Sequence, residues 1–367
     1  MNCKHFGVCG GCTLPGVPYA EQLAKKRAFL SRLLGIDVPP VLPSPKESGF
    51  RNKVSFVFAT AGRDRTVMGH FAQGSQRVIP IDECPVHHER GNRIAFKLRD
   101  QLVKLRFQPG VLRHIIVRTT DDGREASAML VVSENTKALR IPVKKLLASD
   151  AKPDGFFVNI NHKPGPYMVG DETLKIEGRS HVKETIGDVS YLVSPTAFFQ
   201  TNAGAAALLV KLVLEEVGDS KRVLDLYCGS GLFALQIAKA GATVTAVEEN
   251  RQAIADAESN VRLNRLSPTQ IRFVPARVED ALGRVGKDPW DAVVLDPPRQ
   301  GCPLPVINSV FEDIRPARVV YVSCNPDALA SELPVILKMG YRVTRVQPVD
   351  MFPHTDHIET VVAFARA

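Results

Sequence analysis

The sequence lacks the features that mark membrane, secreted or disulfide-rich proteins. No apolar run reaches the length needed to span a membrane, and the N-terminus has no charged-then-apolar leader. We therefore expect a cytoplasmic protein with no membrane partner. The seven cysteines are an odd number in such a chain, which argues against a disulfide framework. The hydrophobic fraction of 44% and the charged fraction of 23% are ordinary for a globular protein of two or three domains.

Positive charge is concentrated in the first half of the chain. Residues 1–192 contain 29 Lys and Arg against 19 Asp and Glu, whereas residues 193–367 contain 18 against 20. This asymmetry is typical of a polyanion-binding surface beside a catalytic module. A generically basic, solvated face explains the charge equally well.

The pattern of apolar residues divides the chain at the same place. Residues 1–192 predict an α+β region of short strands, with helices over 19–35 and 89–107, the first with a polar face bearing Lys25, Lys26 and Arg27. Residues 193–367 alternate regularly between strands and helices and close with two extended segments. That order is typical of a class I, Rossmann-like, S-adenosylmethionine-dependent methyltransferase domain, with a dinucleotide-binding Rossmann domain as the alternative.

The first two strand ends of the second half indicate a cofactor. The turn Asp225–Gly231 lets backbone approach a ligand closely, and Glu248 ends the next strand, where a carboxylate can bind ribose hydroxyls. The dinucleotide fingerprint G-x-G-x-x-G is absent, because Gly231 is followed by Leu, Phe and Ala. S-adenosylmethionine, which has a ribose and no phosphate, fits better. The alternative is an ordinary strand–helix turn with a surface glutamate.

The later strand ends suggest covalent chemistry on a pyrimidine. Cys324 follows the buried strand 319–323 and precedes Asn325-Pro326, so it lies where α/β sheets bind ligands, although a lone cysteine there is more often a small buried residue. Uracil C5 becomes a nucleophile after a thiolate adds to C6, and a base must later remove the C5 proton. Cys324 and Glu359 fit those roles, while Asp296 and Gln200 can bind the uracil edge. Taken singly, Glu359 is a surface acid.

Four cysteines near the N-terminus suggest a metal centre. Cys3, Cys9 and Cys12 are separated by glycines, and Cys84 is followed by a proline. Four thiolates suit a [4Fe–4S] cluster or a structural zinc ion. The spacing lacks the paired C-x-x-C units of zinc ribbons and therefore favours the cluster. The neighbouring His5, His87 and His88 could also bind zinc, which remains the alternative.

Five motifs carry a resemblance to a known family. They are Ser194-Pro195-x-x-Phe198-Phe199-Gln200-x-Asn202, Asp225-Leu226-Tyr227-Cys228-Gly229-x-Gly231, Asp296-Pro297-Pro298-Arg299, Ser323-Cys324-Asn325-Pro326 and Asp350-Met351-Phe352-Pro353-His354-Thr355-x-His357-x-Glu359. In this order they resemble the RNA uracil-C5 methyltransferases, which make 5-methyluridine in ribosomal and transfer RNA.

The resemblance implies a role for each matching residue. Cys324 is then the nucleophile and Glu359 the base, and the cofactor residues are Gln200, Tyr227, Glu248 and Asp296. Cys3, Cys9, Cys12 and Cys84 then hold [4Fe–4S], as in the branch that modifies large-subunit rRNA.

The chain departs from the family at two places. Its cysteines begin at residue 3, so we expect no RNA-binding TRAM domain before them. The chain is then most similar to the short 23S rRNA enzymes, and we expect the basic first half to bind the RNA. We also expect a monomer. Pro275-Ala276-Arg277 stands where many members have an adenine-binding Asn or Asp. The alternatives are a tRNA substrate, an amino-methyltransferase that needs no thiol, an iron–sulfur redox enzyme and a non-catalytic RNA-binding protein.

Overall fold

The computed structural model describes residues 3–14, 16–62, 65–163 and 168–367, and its described strands form two seven-stranded sheets and one hairpin. The first sheet has the order β3-β2-β1-β4-β5-β6-β7 and is antiparallel except where β5 meets β6. Its strands are β1 Lys53–Ala61, β2 Arg65–Phe71, β3 Val78–Pro80, β4 Leu112–Thr119, β5 Ala126–Val132, β6 Gly155–Ile160 and β7 Glu172–Gly178.

One face of the first sheet is covered by helices. In β1, buried Val54, Phe56 and Phe58 alternate with more exposed residues, as a sheet with one covered face requires. The covering elements are α2 Glu89–Leu102, a 3₁₀ turn Lys137–Leu139 and α3 Arg140–Leu147. The predicted helix over 89–107 therefore ends five residues early. N-terminal to this sheet lies α1 Tyr19–Leu34.

The second sheet has the order β12-β11-β10-β13-β14-β16-β15. Its strands are β10 Arg222–Leu226, β11 Thr243–Glu248, β12 Ile271–Pro275, β13 Ala292–Leu295, β14 Arg318–Ser323, β15 Tyr341–Val349 and β16 Glu359–Arg366. The first five pair in parallel, and β16 is antiparallel to both β14 and β15. Strand order reverses at β10 and β13, where open α/β sheets bind ligands. The predicted class I methyltransferase fold is confirmed.

Helices cover both faces of the second sheet, which explains its continuous apolar strands. They are α4 Ala203–Val217, α5 Leu232–Lys239, α6 Arg251–Leu263, α7 Val278–Val285, α8 Leu304–Asn308, which continues as a π-helix Ser309–Ile314, and α9 Pro326–Lys338. The separate hairpin of β8 Val182–Ile186 and β9 Val189–Val193 packs against α6 and α4.

The N-terminal helix α1 packs against α9, one of the helices that cover the second sheet. Leu30 and Val38 are fully buried in the core that lies between this sheet and α9. Leu42 then forms a bridge with Val349 at the end of β15. The division into 1–192 and 193–367 stays a prediction, but contacts between its two parts are extensive. Within the described ranges, no helix is both long and apolar enough to cross a membrane.

Candidate active site and metal centre

Cys324 is held at the carboxyl end of β14 by the turn into α9. The Asn325 side chain caps α9 by accepting from Asp327 N, and its Nδ2 donates to Arg299 O at 2.8 Å. Ser323 Oγ donates to Asn325 O at 3.0 Å. These bonds fix the half-buried thiol beside the loop that follows β13.

The structure brings Glu359 and Asp296 to the same place. Glu359 is the first residue of β16, and its neighbour Thr360 pairs with Ser323, so the carboxyl group lies at the Cys324 end of the sheet. Asp296 follows β13, the neighbour of β14 on the other side. Burial, followed by the negative charges of Glu359 and Asp296, raises the pKa of the Cys324 thiol to about 11.

Both carboxyl groups are themselves hard to ionise. Burial and then the charge of Asp296 raise the pKa of Glu359 to about 8, and burial raises the pKa of Asp296 to about 7. The exposed Arg299 opposes this effect, because its positive charge lowers the pKa of both Glu359 and Cys324. A thiol, two proton-accepting groups and a cation therefore share one site.

The cofactor side of this edge has the geometry of a tight cradle. Glu248 Oε2 accepts from Gly229 N at 3.0 Å, and its Oε1 accepts from Asn250 N at 2.8 Å. Tyr227 has a left-handed backbone with a φ of 66°, and its buried hydroxyl has no hydrogen-bond partner among the residues that the structure describes. A Cβ added to Gly229 would meet no atom of the described ranges within 4 Å, so there is open space beside the turn at this residue.

Gln200 lies in the segment before α4. That segment is tied to the C-terminal motif, because Asn202 Nδ2 donates to Met351 O at 3.0 Å. Tyr227, Glu248 and Asp296 lie at neighbouring strand ends, and Gln200 is half-buried two residues before Asn202. An orphan hydroxyl, a carboxylate and open space beside glycine fit a nucleoside with ribose hydroxyls.

Cys324 also opens onto a cavity of about 480 Å³. Its lining includes Lys25 and Phe29 of α1, together with Arg299 and His357. The lining carries cationic and aromatic groups beside the thiol, which suits a nucleotide that enters from RNA.

The four N-terminal cysteines meet in one cavity of about 460 Å³. Gly10 N donates to Phe71 O at 2.8 Å, which joins the N-terminal segment to the end of β2. Burial, with a smaller contribution from neighbouring thiols, raises the pKa of Cys12 to about 11 and that of Cys84 to about 12. Arg51 lines the same cavity, and its guanidinium lies 5.9 Å from the Phe352 ring centroid.

The sulfur atoms of the four cysteines lie too far apart in this structure to bind one zinc ion together. A zinc–sulfur bond of about 2.3 Å places tetrahedral sulfur ligands about 3.8 Å apart. No three of the four sulfurs lie within 4.8 Å of one another, whereas ligand atoms of His70, Cys84 and His87 do. In this arrangement no single ion reaches three of the four thiolates, whereas His70, Cys84 and His87 are close enough together to bind one.

Residues outside the sequence motifs also build the site. Lys26 is 3% exposed and donates to Asp350 Oδ1 at 2.7 Å, so the prediction that it lies on the polar face of α1 is wrong. Gln22 and Thr13 contact the backbone of His354 and Asp356. No local pattern identifies these three residues, because their partners lie more than 320 residues away in the sequence.

Comparisons with known proteins identify the family of this chain. A family model described as tRNA (Uracil-5-)-methyltransferase matches residues 18–367. An uncharacterised RNA methyltransferase of Geobacter sulfurreducens is 33% identical over 383 residues, which cover 100% of this chain and 77% of that protein. Another, of Chlorobaculum tepidum, is 32% identical over 403 residues, which cover 100% of this chain and 83% of that protein.

A solved structure is similar over almost the whole chain. The Pyrococcus abyssi tRNA (uracil-54, C5)-methyltransferase in complex with S-adenosyl-L-homocysteine has a TM-score of 0.81 and 31% identity. The similarity covers 98% of this chain and 86% of that one. The chain therefore belongs to the RNA uracil-5-methyltransferase family, whose members are S-adenosylmethionine-dependent enzymes.

Proposed function

We propose that this protein transfers a methyl group from S-adenosylmethionine to C5 of a uridine in RNA through a covalent adduct on Cys324. The observation that supports this mechanism best is the convergence of Cys324, Glu359 and Asp296 at one strand edge. A methyltransferase acting on an amino group needs no thiol, whereas methylation of a pyrimidine carbon does.

The proposed reaction begins at the Cys324 sulfur. The thiolate adds to C6 of the uracil, and the electron pair of the C5–C6 bond moves into an enolate. C5 then takes the methyl group from the sulfonium that the bound cofactor supplies, which leaves a neutral thioether. Glu359 accepts the C5 proton, and the C6–sulfur bond breaks to release 5-methyluridine and the thiolate.

The charges of the site match these proton movements. A Cys324 thiol with a pKa of about 11 is mostly protonated at neutral pH, so its ionisation needs a nearby acceptor and a cation. Arg299 is the cation, because its charge lowers the pKa of both the thiol and Glu359. Asp296 and Gln200 are proposed to hydrogen-bond the uracil edge, which requires that the base be flipped out of its stack.

Four residues are proposed to bind the cofactor: Gln200, Tyr227, Glu248 and Asp296. Glu248 presents a carboxylate at the end of β11, and Tyr227, directly after β10, has a buried hydroxyl that bonds to none of the described residues. We expect Glu248→Ala to weaken S-adenosylmethionine binding in calorimetry, with Glu249→Ala as the matched neighbour that leaves it unchanged. Equal affinities for the two variants would remove Glu248 from the cofactor site.

The RNA is proposed to be large-subunit rRNA, bound by the basic residues of 1–192. The motif resemblance supports rRNA, while the similar structure from Pyrococcus abyssi is a tRNA enzyme and makes tRNA the second candidate. Phe198, two residues before Gln200, is 72% exposed, and we propose that it stacks on a base. We also propose that the protein acts as a monomer.

The test supplies labelled S-adenosylmethionine with rRNA and tRNA that both lack 5-methyluridine, followed by nucleoside analysis. Label in 5-methyluridine from rRNA supports the whole proposal, and label from tRNA alone keeps the mechanism and changes the substrate. Label in another nucleoside, or full activity of Cys324→Ala, refutes the thiol mechanism. Salt-sensitive RNA binding without transfer would indicate a non-catalytic RNA-binding protein.

The four cysteines Cys3, Cys9, Cys12 and Cys84 are proposed to hold a [4Fe–4S] cluster. Their shared cavity supports a cluster. Protein purified without oxygen should contain iron and acid-labile sulfide in equal amounts and lose both in Cys84→Ser. One zinc per chain, retained in Cys9→Ser and lost in His70→Ala, would instead indicate the His70–Cys84–His87 arrangement.

A further inference from the structure

The loop between β15 and β16, residues 350–358, contains a strained turn beside the candidate active site. His354 lies in the left-handed region with a φ of 67°, which non-glycine residues disfavour. The loop leads directly into Glu359, and Asp356 and His357 line the cavity onto which Cys324 opens. Its conformation therefore controls both the direction of the proposed base and the entrance to the thiol.

One anchor of this loop comes from the residues that follow Cys12. Thr13 N and Leu14 N both donate to His354 O at 3.0 Å. Asp356 N donates to Thr13 Oγ1 at 2.9 Å, and Thr13 Oγ1 donates to Asp356 Oδ1 at 3.1 Å. The Thr13 hydroxyl is thus both acceptor and donor across the turn.

A second anchor comes from α1 and the segment after it. His354 N donates to Gln22 Oε1 at 2.7 Å, and the Gln22 amide nitrogen lies 3.1 Å from His354 Nδ1. His354 Nε2 lies 2.8 Å from Glu47 O. A carbonyl can only accept, so Nε2 carries the proton and Nδ1 accepts from Gln22. The two anchors hold the same turn from different parts of the chain.

The first anchor is continuous with the four-cysteine cavity. Cys9 bridges to Ala72 beyond β2, Cys12 lines the cavity, and Thr13 is the next residue. Arg51 makes a parallel connection, since it lines the cavity and lies over the Phe352 ring of the loop. A shift of the cysteine segment would therefore be transmitted to His354 within two residues of Cys12.

We propose that Thr13 is a positioning residue for methyl transfer: it ties the left-handed turn at His354 to the four-cysteine segment and so fixes the loop beside Cys324. This inference rests on the proposed function, and it links the proposed metal site to the conformation of the loop. When Cys3, Cys9, Cys12 and Cys84 bind their metal group, the segment that carries Thr13 is ordered, and the loop is held for catalysis.

The variant Thr13→Val keeps the size of the side chain and removes both hydroxyl bonds, and Thr13→Ser restores the hydroxyl. The control is Thr185→Val, which removes an exposed hydroxyl bond to Ser190 in the β8–β9 hairpin. The assay measures adduct formation with RNA containing 5-fluorouridine, which cannot lose a C5 proton and so traps the enzyme. We expect the loss of these two hydrogen bonds in Thr13→Val to slow trapping about tenfold.

Two further measurements distinguish positioning from a general loss of structure. Cofactor affinity should be unchanged in Thr13→Val, while amide hydrogen exchange over residues 351–357 should accelerate and return to normal in Thr13→Ser. Removing the metal group from the wild-type protein should accelerate exchange of the same amides. Removing it from Thr13→Val should cause little further acceleration, because the connection is already broken. This non-additivity is the signature of a shared connection.

The outcomes separate this proposal from the function on which it rests. The proposal for Thr13 is overturned if Thr13→Val traps RNA and exchanges its loop amides at the rates of the wild-type protein. It is also overturned if amide exchange accelerates evenly over the whole chain. If wild-type protein forms no adduct, the thiol mechanism fails, and loop exchange alone decides the role of Thr13. If the protein carries no metal group, the metal proposal fails. The comparison of Thr13→Val with Thr13→Ser then still decides whether Thr13 positions the loop.

Discussion

Replacing Lys26 by methionine should destabilise the protein far more than replacing its neighbour Lys25. Lys26 Nζ lies 2.7 Å from Asp350 Oδ1, and the two side chains are only 2% and 0% exposed. Lys26 also donates to Phe352 O at 3.2 Å. Without the lysine, the Asp350 carboxylate stays buried without a counter-charge, and breaking such a pair costs about 3–5 kcal/mol.

Lys25 provides the matched control on the same helix. It pairs with Glu21 at 2.9 Å, but both side chains are 53% exposed, and such pairs contribute less than about 1 kcal/mol. A double variant, Lys26→Met with Asp350→Asn, removes both charges and should recover most of the loss, because Asn keeps an acceptor for Phe352 N.

The single tryptophan makes the assay specific for the second sheet. Trp290 is 7% exposed in the core that also contains Leu30 of α1. Urea unfolding followed by its fluorescence should show a midpoint for Lys26→Met lower by about 1–2 M, if the slope is about 3 kcal/mol per molar. If Lys26→Met and Lys25→Met differ by less than about 1 kcal/mol, the buried pair does not have the assigned importance.

Three further predictions concern the chemistry. Glu359→Gln should accumulate a covalent RNA adduct with ordinary uridine that survives a denaturing gel, and normal turnover without adduct would exclude Glu359 as the base. The rate of methyl transfer at saturating cofactor should rise with pH through about pH 8, because Glu359 has a pKa of about 8 and is a base only when ionised. The thiolate fraction of Cys324 also rises over this range. A rate that does not change with pH would contradict this assignment. Arg299→Gln should move that rise to higher pH, since Arg299 lowers the pKa of both groups, and an unmoved profile would show that another cation dominates.

Elements with a strong periodic pattern were predictable from the sequence. The helix predicted over 19–35 is α1 Tyr19–Leu34, because its apolar residues recur at helical spacing until Gly35 ends it in a left-handed conformation. The helix predicted over 89–107 ends at Leu102, since Phe107 packs against the first core from an irregular segment. The short β3 and the β8–β9 hairpin lacked a pattern long enough to identify.

The strand-end rule explains why much of the candidate site was also predictable. Asp296 and Cys324 follow adjacent parallel strands, so their convergence follows from the fold class alone. Glu359 joins them because β16 inserts antiparallel between β14 and β15. Lys26 and Gln22 could not be assigned, because helical spacing gives a face but not its partner, and theirs is a loop at the other end of the chain.

The loop that leads to Glu359 shows why the N-terminal residues and the catalytic sheet form one working unit. A left-handed His354 and a buried Asp350 both require compensation, and the bonds that supply it come from Thr13, Gln22 and Lys26. Since these contacts cross the predicted boundary at residue 192, the sequence pattern divides the chain by composition while its packing joins the two parts. The same arrangement places Thr13, the residue after Cys12, in contact with the loop that borders the thiol. The metal group proposed for the four cysteines would therefore act on catalysis without touching the substrate.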